Sequence, residues 1–325
     1  MPMSVNIKRR LRPGRGLVIG IPYIWLLVLF LIPFFIVLKI SFAEQELKIP
    51  PYSDLFIVDE ETGKQTLHLV YYNYQEIFAN FTDTLKQMFG LSDATGNNMY
   101  LRSYWLSIKT AATTTLICLL LGYPMAYGIA RAKPAYRNTL LLAIMLPFWT
   151  SFLLRVYAWM GLLSQNGIIN NLLMKYGIID EPLQMFYNTF SLNLVMVYAY
   201  LPFMILPLYT QLVKFDGRLL EAASDLGAGP IKSFFTITLP LSKTGIIAGS
   251  MLVFIPCVGE FVIPDLVGSS DNLMIGRTLW MTFFDANNWP LAAALAVIMV
   301  LLLVVPIALF QHYENRELEE GGKHG

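Results

Sequence analysis

Six apolar stretches, each approaching or exceeding the length needed to cross a bilayer, constrain this chain more than any other feature. They run at about Leu17–Ile40, Leu106–Ala130, Thr139–Leu163, Phe190–Val213, Gly245–Val267 and Leu291–Phe310. Crossing about 30 Å of hydrocarbon at 1.5 Å per residue takes roughly 20 residues. Lipid offers backbone amides no water to bond with, so spans of this length are expected to be helical. Composition agrees. The chain is 56% apolar and only 14% charged, against about 25% charged in a soluble domain, too little to solvate a globular surface. Disorder, collagen and a disulfide scaffold need high charge, a glycine period or many cysteines, and the chain has 14% charged residues, 22 Gly without a period and 2 Cys. The expected fold is an all-α integral membrane protein with six transmembrane helices. The first span follows Lys8-Arg9-Arg10-Leu11-Arg12 as a signal peptide would. It is longer than a signal core and lacks a small-residue cleavage pattern, so it reads as an uncleaved anchor.

The charges that remain are unevenly shared. Segments on the side of the N-terminus carry 14 Lys and Arg: those before Leu17, then Arg131, Lys133 and Arg137, those in 214–244, and two after Gln311. The opposite segments carry six: Lys48, Lys64, Lys86, Arg102, Lys175 and Arg277. The excess of cations marks the cytoplasm, which places both termini there. The opposite side is acidic, with Glu44, Glu46, Asp54, Asp59, Glu60, Glu61, Glu76, Asp83 and Asp93 in the first long loop and Asp180, Glu181, Asp271 and Asp285 beyond it. A solvated loop accounts for any one of these residues. Together they would also raise the local concentration of a cationic solute. Cys118 and Cys257 fall inside spans, where a thiol packs as a small apolar group, and His68, His312 and His324 are scattered. The sequence offers no catalytic constellation, no metal-ligand spacing, no phosphate-cradling loop and no nucleic-acid face.

One segment on the cytoplasmic side, 214–243, is different in kind. It reads as a short helix, a turn and a second short helix. Asp216 can cap the first helix, Gly227 suits the left-handed residue after it, and Pro230 suits the first position of the next. Pro240 is expected to close the second. Leu219, Ala222, Ala223 and Leu226 share a face, while Glu221 and Asp225 point elsewhere. Such a helix suits docking to another protein. An amphipathic surface helix with Glu221 paired to Arg218 fits the same residues.

The run Glu221-Ala222-Ala223, three residues, Gly227, nine residues, Ile237-Thr238-Leu239-Pro240 resembles the EAA loop of the membrane subunits of bacterial ABC importers. All seven specified positions are present, and the likeness extends over roughly Leu101–Phe310. It implies that this loop is the coupling helix seated in a cleft of the ATP-hydrolysing subunit. Glu221 would be the contacting carboxylate and Gly227 the turn; Ala222, Ala223, Ile237, Leu239 and Pro240 complete the ATPase-coupling set. The segment Ala248–Pro264 is similar to the polyamine permeases of putrescine and spermidine importers, as are Asn272–Arg277 and Tyr157–Leu163. The putrescine type, which pairs with a second permease, is nearest. Cys257, where a small Ala is expected, reads as a packing change. Spans and charge give a cytoplasmic basic N-terminus at 1–16, a first transmembrane helix at 17–42, which the resemblance makes an extra helix, and a periplasmic acidic loop at 43–100. The resemblance implies that a five-helix type I permease core follows at 101–311, with its coupling loop at 214–243, and then a cytoplasmic tail at 312–325.

Ionisable groups at membrane depth tend to face a cavity or each other. Counted from Thr139 at 1.5 Å per residue, Arg155 lies about 24 Å along an outward-running span, and Glu260 lies at a similar depth in the fifth. An Arg155–Glu260 pair would tie these spans together; snorkelling of Arg155 to the interface is the alternative. Pro256, Gly259 and Pro264 should interrupt the fifth helix beside Glu260 and Asp265, as a broken helix lining a path would. Trp149, Tyr157, Trp159 and Tyr200 could add cation–π contacts to a path for an alkyl diammonium ion. Interfacial anchoring and packing also account for these aromatics. Gly245 and Gly249 form a GxxxG step suited to close helix packing.

The resulting expectation is a permease subunit of an ATP-driven importer, carrying putrescine or a related polyamine across the bacterial inner membrane by alternating access. It implies as partners two ABC ATPase subunits, a second permease, a periplasmic polyamine-binding protein and membrane lipid, but no nucleic acid. No cofactor belongs to this chain, and ATP and Mg would be bound by the partner ATPase. The alternatives are the same machinery carrying another solute, a stand-alone ion-coupled carrier, and a membrane scaffold or sensor.

Overall fold

A computed structural model describes residues 13–58, 65–88, 90–91, 98–269 and 273–321. The basic residues Lys8, Arg9, Arg10 and Arg12, the acidic Asp59, Glu60, Glu61, Asp93 and Asp271, and Asn272 lie outside the described residues. The chain divides into two compact units, Met1–Glu76 with Asn287–Val297, and Ile77–Ala286 with Ile298–Gly325.

In the first unit, α1 (Pro13–Ser41) is apolar all round. Most of its described apolar side chains are exposed, Val18, Trp25 and Phe30 among them, as befits a helix whose solvent is hydrocarbon. The end of α1 is pinned by its own loop. Asn73 Nδ2 donates to the carbonyls of Ser41 at 3.0 Å and Ala43 at 2.9 Å, and Ser41 Oγ and Tyr74 Oη share a 2.8 Å hydrogen bond. The loop is not wholly helical. β1 (Phe56–Val58) pairs antiparallel with β2 (Gln65–Leu67), Ile57 opposite Thr66, before α2 (Tyr72–Ile77). The all-α expectation therefore holds for the spans, while these β-branched residues pair their backbones as two short antiparallel strands.

The second unit begins with α3 (Phe81–Met88) and α4 (Met99–Arg131). Asn98 caps α4, accepting from the amides of Tyr100 and Leu101. The next span is broken: α5 (Pro134–Met145), a 3-10 turn at Leu146–Trp149, α6 (Phe152–Leu163), then α7 (Ile168–Lys175). The segments on either side of residues 150–151 bend by 87°. The cause is local. Pro147 has no N–H to donate one helical turn back, the turn tightens, and Thr150 goes extended (φ −96°, ψ 153°) with its hydroxyl donated to the Pro147 carbonyl at 2.8 Å. The continuous helix expected over Thr139–Leu163 is thus two helices, and a depth for Arg155 counted along one axis does not apply.

α8 (Thr189–Leu212) opens on a reciprocal cap between Asn188 and Ser191. Next come α9 (Arg218–Asp225), α10 (Pro230–Ser233), a π-helical turn at Phe234–Thr238, α11 (Leu239–Leu241) and α12 (Lys243–Val258). The fifth span also departs from one helix. α12 stops at Val258, and α13 (Val262–Val267) starts afresh after the Gly259–Phe261 break. Pro256 and Pro264 sit inside helices, so only the neighbourhood of Gly259 breaks the span. After α14 (Ile275–Trp280) and a second π turn at Met281–Asp285, α15 (Trp289–Gly321) runs through both units. Four of these helices are long and apolar enough to cross a membrane, or six if each bent pair is one span.

α4, α8 and α12 form the core. Glycine lets their backbones meet where lipid supplies no hydrophobic drive to hold helices together. A Cβ on Gly249 would lie 2.8 Å from Met204 Sδ and 3.1 Å from the Met204 carbonyl; one on Gly245 would lie 2.9 Å from Gln211 Cβ. Gly245-x-x-x-Gly249 is accordingly the packing step its spacing predicts. Cys118, Val253 and Cys257 are fully buried here, with Met204, Ile205 and Leu208.

Candidate functional site

The loop between α8 and α12 is a built surface. Asp216 Oδ1 accepts from the Arg218 amide at 3.0 Å and so closes the start of α9. At the other end the Gly227 amide donates to Ser224 and the Ala228 amide to Ala223, with Gly227 at φ +79°. This pattern satisfies the last carbonyls of the helix and needs a left-handed residue at that one place. Pro230 then occupies the first turn of α10. Of the face Leu219, Ala222, Ala223 and Leu226, only Ala223 turns into the protein; Leu219, Ala222 and Leu226 are exposed, Leu226 at 89%. Ile231 at 74% and Phe235 at 60% extend the same apolar character, and Glu221 and Asp225 are exposed beside them.

Pro240 does not close the second helix. The Leu239 amide reaches back to the Phe234 carbonyl, an i to i−5 bond, and the helix runs on to Leu241. A proline lacks the N–H for its own intrahelical bond and crowds the carbonyl one turn back. The widened π turn absorbs that conflict without ending the helix. The axis then bends by 64° at Ser242, whose Oγ shares a 2.8 Å hydrogen bond with Tyr123 Oη of α4. Phe234 packs edge-on against Tyr123 and Tyr127, with centroids 5.6 and 6.4 Å away. Ile237 and Leu239 are half-buried on this stretch and Pro240 is exposed. The exposed apolar face of α9 and α10 and the span α4 are therefore joined through α10, the π turn and two tyrosines. Sequence reasoning missed Tyr123, Tyr127 and Phe234 because nothing local links residues more than a hundred positions apart.

The charges of the spans are arranged otherwise than expected. Glu260 Oε1 accepts from the amides of Phe261, Val262 and Ile263 at 3.2, 3.0 and 3.4 Å, satisfying the free donors at the start of α13. Its Oε2 accepts from the Tyr200 hydroxyl. Arg155 makes no ion pair with it. The guanidinium lies instead over Phe148 and Phe152, at 4.9 and 5.6 Å. Phe148 meets Phe203 edge-on and Phe203 meets Tyr200, so an aromatic series stands between the two charges. The carboxylate prefers oriented amides that are already in place, and Arg155 takes the nearest π faces. Asp265 is spoken for by Arg277, whose Nε is 3.2 Å from Oδ1.

Of the proposed path residues, the fold brings together Tyr200 and Glu260. Trp159 packs edge-on against Tyr198 at 5.4 Å, and Trp149 and Tyr157 are exposed. Beside the Gly259 break lies an unforeseen aromatic group: Trp280 stacks on Phe261 at 4.6 Å and contacts Phe284 at 4.2 Å. These three line a cavity of about 400 Å³ with Gly276 and Met299. Gly276 is required there, since a Cβ would fall 2.6 Å from the Glu260 carbonyl. A larger cleft, about 590 Å³, lies between Pro124, Met125, Leu140, Ile144, Pro147 and Ile205 and offers a cation no acidic group. Among the described residues no His, Cys, Asp and Glu cluster could hold a metal ion.

The spans form a helical membrane architecture with an exposed loop structure between α8 and α12. The chain belongs to the family of binding-protein-dependent transport system inner membrane components, whose model matches residues 119–318. It is 33% identical over 300 residues to the spermidine/putrescine transport system permease protein PotB of Haemophilus influenzae, covering 92% of this chain and 93% of that one. It is 38% identical over 227 residues to the protein of the same name from Escherichia coli K12, covering 68% and 82%. Among solved structures it shares the fold of a bacterial ABC transporter involved in the import of the acidic polysaccharide alginate. There the TM-score is 0.59 at 16% identity, over 93% of this chain and 96% of that one. Membership makes the chain an inner-membrane transport subunit and not a catalytic one.

Proposed function

We propose that this chain is the permease subunit of an ATP-driven importer for a polyamine of the putrescine and spermidine type. The likeness to a spermidine/putrescine permease over 92% of the chain carries this reading. In it both termini are cytoplasmic, as the cation asymmetry favours. A periplasmic binding protein delivers the solute to the acidic outer segments. Two ATPase subunits, which supply ATP and Mg, dock on the surface from Glu221 to Pro240, and a second permease completes the path.

The geometry supports a specific route for the stroke. A partner that grips Leu226, Ile231 and Phe235 moves α10 and the π turn, and Phe234 and Ser242 pass that movement to Tyr123 and so to α4. Alternating access follows if α12 and α8, locked together at Gly245 and Gly249, and α4, whose Gly122 closes on Met204 of α8, tilt as one body. At the far end, Tyr200, Glu260 and the Phe261, Trp280 and Phe284 group present π faces and one carboxylate to a cationic chain.

Uptake of radiolabelled putrescine and of spermidine is to be measured in proteoliposomes holding the complete importer, each competed by the other. Saturable uptake of either diamine or triamine that needs ATP inside the complex is the expected result. Uptake by this chain without any ATPase partner, or an importer indifferent to both compounds, would sink the reading. Glu260→Gln keeps an oxygen for the α13 amides but removes the charge, and uptake is expected to fall while the protein stays folded. Normal uptake by that variant would leave Glu260 a helix cap only.

A further inference from the structure

A cavity of about 180 Å³ lies beneath the docking loop, lined by Tyr127 and Arg131 of α4, Arg137 of α5, Val213 and Phe215 after α8, and Thr238. It has room for several water molecules. Two features set it apart from the two cavities described above. First, it holds two guanidinium groups without an acid. Among the described residues no carboxylate lies within 4 Å of Arg131 or Arg137; Arg131 stacks over Tyr127 at 5.2 Å, and Arg137 spends only its Nε, on the Ala132 carbonyl at 2.9 Å. The acidic residue nearest the lining in sequence, Asp216, is turned to the Arg218 amide. Second, its depth is set by three helix ends. α4 stops at Arg131, α5 starts at Pro134 and α8 stops at Leu212, so the cavity opens where the apolar spans give way to the interface.

We propose that this cavity binds a phosphate group, supplied by an anionic phospholipid headgroup or by free phosphate. The planar fork of a guanidinium matches phosphate oxygens in pairs, and basic pockets between spans at this level suit lipid headgroups. The site is independent of the solute carried. An occupant has a mechanical consequence, because Thr238 belongs to the π turn and Arg131 leans on Tyr127, which packs on Phe234. A bound phosphate therefore ties the base of the docking loop to the ends of α4 and α8.

The test uses the complete importer in nanodiscs of phosphatidylcholine alone or mixed with phosphatidylglycerol. Native mass spectrometry counts the lipid retained after detergent release, for wild type, Arg131→Gln/Arg137→Gln, and Lys133→Gln, which removes a neighbouring charge outside the cavity. Wild type and Lys133→Gln are expected to retain phosphatidylglycerol about tenfold over phosphatidylcholine, and the double variant to lose that preference. A parallel arm titrates inorganic phosphate into the phosphatidylcholine sample; binding there that the double variant lacks identifies the soluble source. Wild type that neither prefers phosphatidylglycerol nor binds phosphate overturns the proposal, whether or not the variant folds. Equal retention by wild type and a folded double variant overturns it as well.

Discussion

Single residues in this chain separate into those held by backbone geometry and those held by a distant partner. Gly227 is of the first kind. At φ +79° a side chain strains the turn, so Gly227→Ala should cost about 1–2 kcal/mol locally and weaken stimulation of the partner ATPase. An assay of ATP hydrolysis by the assembled importer decides it. Glycines inside the spans predict opposite signs. Gly249 abuts Met204, and Gly249→Ala should lower the melting temperature in detergent through overpacking worth about 1–3 kcal/mol. Gly128 has open space where its Cβ would go, and Gly128→Ala should leave that temperature unchanged or raise it. Tyr200→Phe strips Glu260 Oε2 of its donor. The expected loss is about 1 kcal/mol, read as a lower melting temperature in detergent, since a half-buried carboxylate loses one of its donors.

At the scale of elements, the informative places are those where a helix could have continued and did not. Pro147 turns one span through a tight corner, and Gly259 with Glu260 restarts another. Pro240 produces neither outcome, because the π turn before it takes up the missing bond. Replacing it should relax that turn. With Pro240→Ala the amide at 240 regains a partner, the stretch from Phe234 can tighten to an ordinary helix, and the docking face rotates relative to Tyr123. ATP hydrolysis should then respond less to the solute-loaded binding protein, with the fold intact by circular dichroism. An unchanged response would show that the π turn does not set the register of the docking face.

For the whole molecule, the orientation can be read by chemical labelling. Cys118 and Cys257 are fully buried, so the native thiols should stay silent toward membrane-impermeant maleimide. A cysteine placed at exposed Asp216 should label only in inverted vesicles, and one placed at Glu46 only in intact spheroplasts. The reverse pattern would overturn the assignment of both termini to the cytoplasm.

The sequence alone determined the helical membrane class, the Asp216, Gly227 and Pro230 punctuation of the 214–243 loop, and the close approach at Gly245 and Gly249. Each of these is fixed by local chemistry: apolar length against bilayer thickness, a cap, a left-handed residue, the absence of a side chain. What Pro240 does was misjudged from sequence, because a proline's effect depends on whether the helix upstream can widen. Of the two readings open for Arg155, the pair with Glu260 is not formed. Opposite charges in two spans suggest a pair, yet α13 puts three unsatisfied amides within reach of Glu260 and the 87° corner delivers Arg155 to Phe148 and Phe152. The aromatic group at Trp280 and the cavity between Arg131 and Arg137 arise only when separate helices end at a common place. Those depend on the assembled fold, because a contact between remote residues is set by the directions of the helices that carry them, and direction is not written in any local run of sequence.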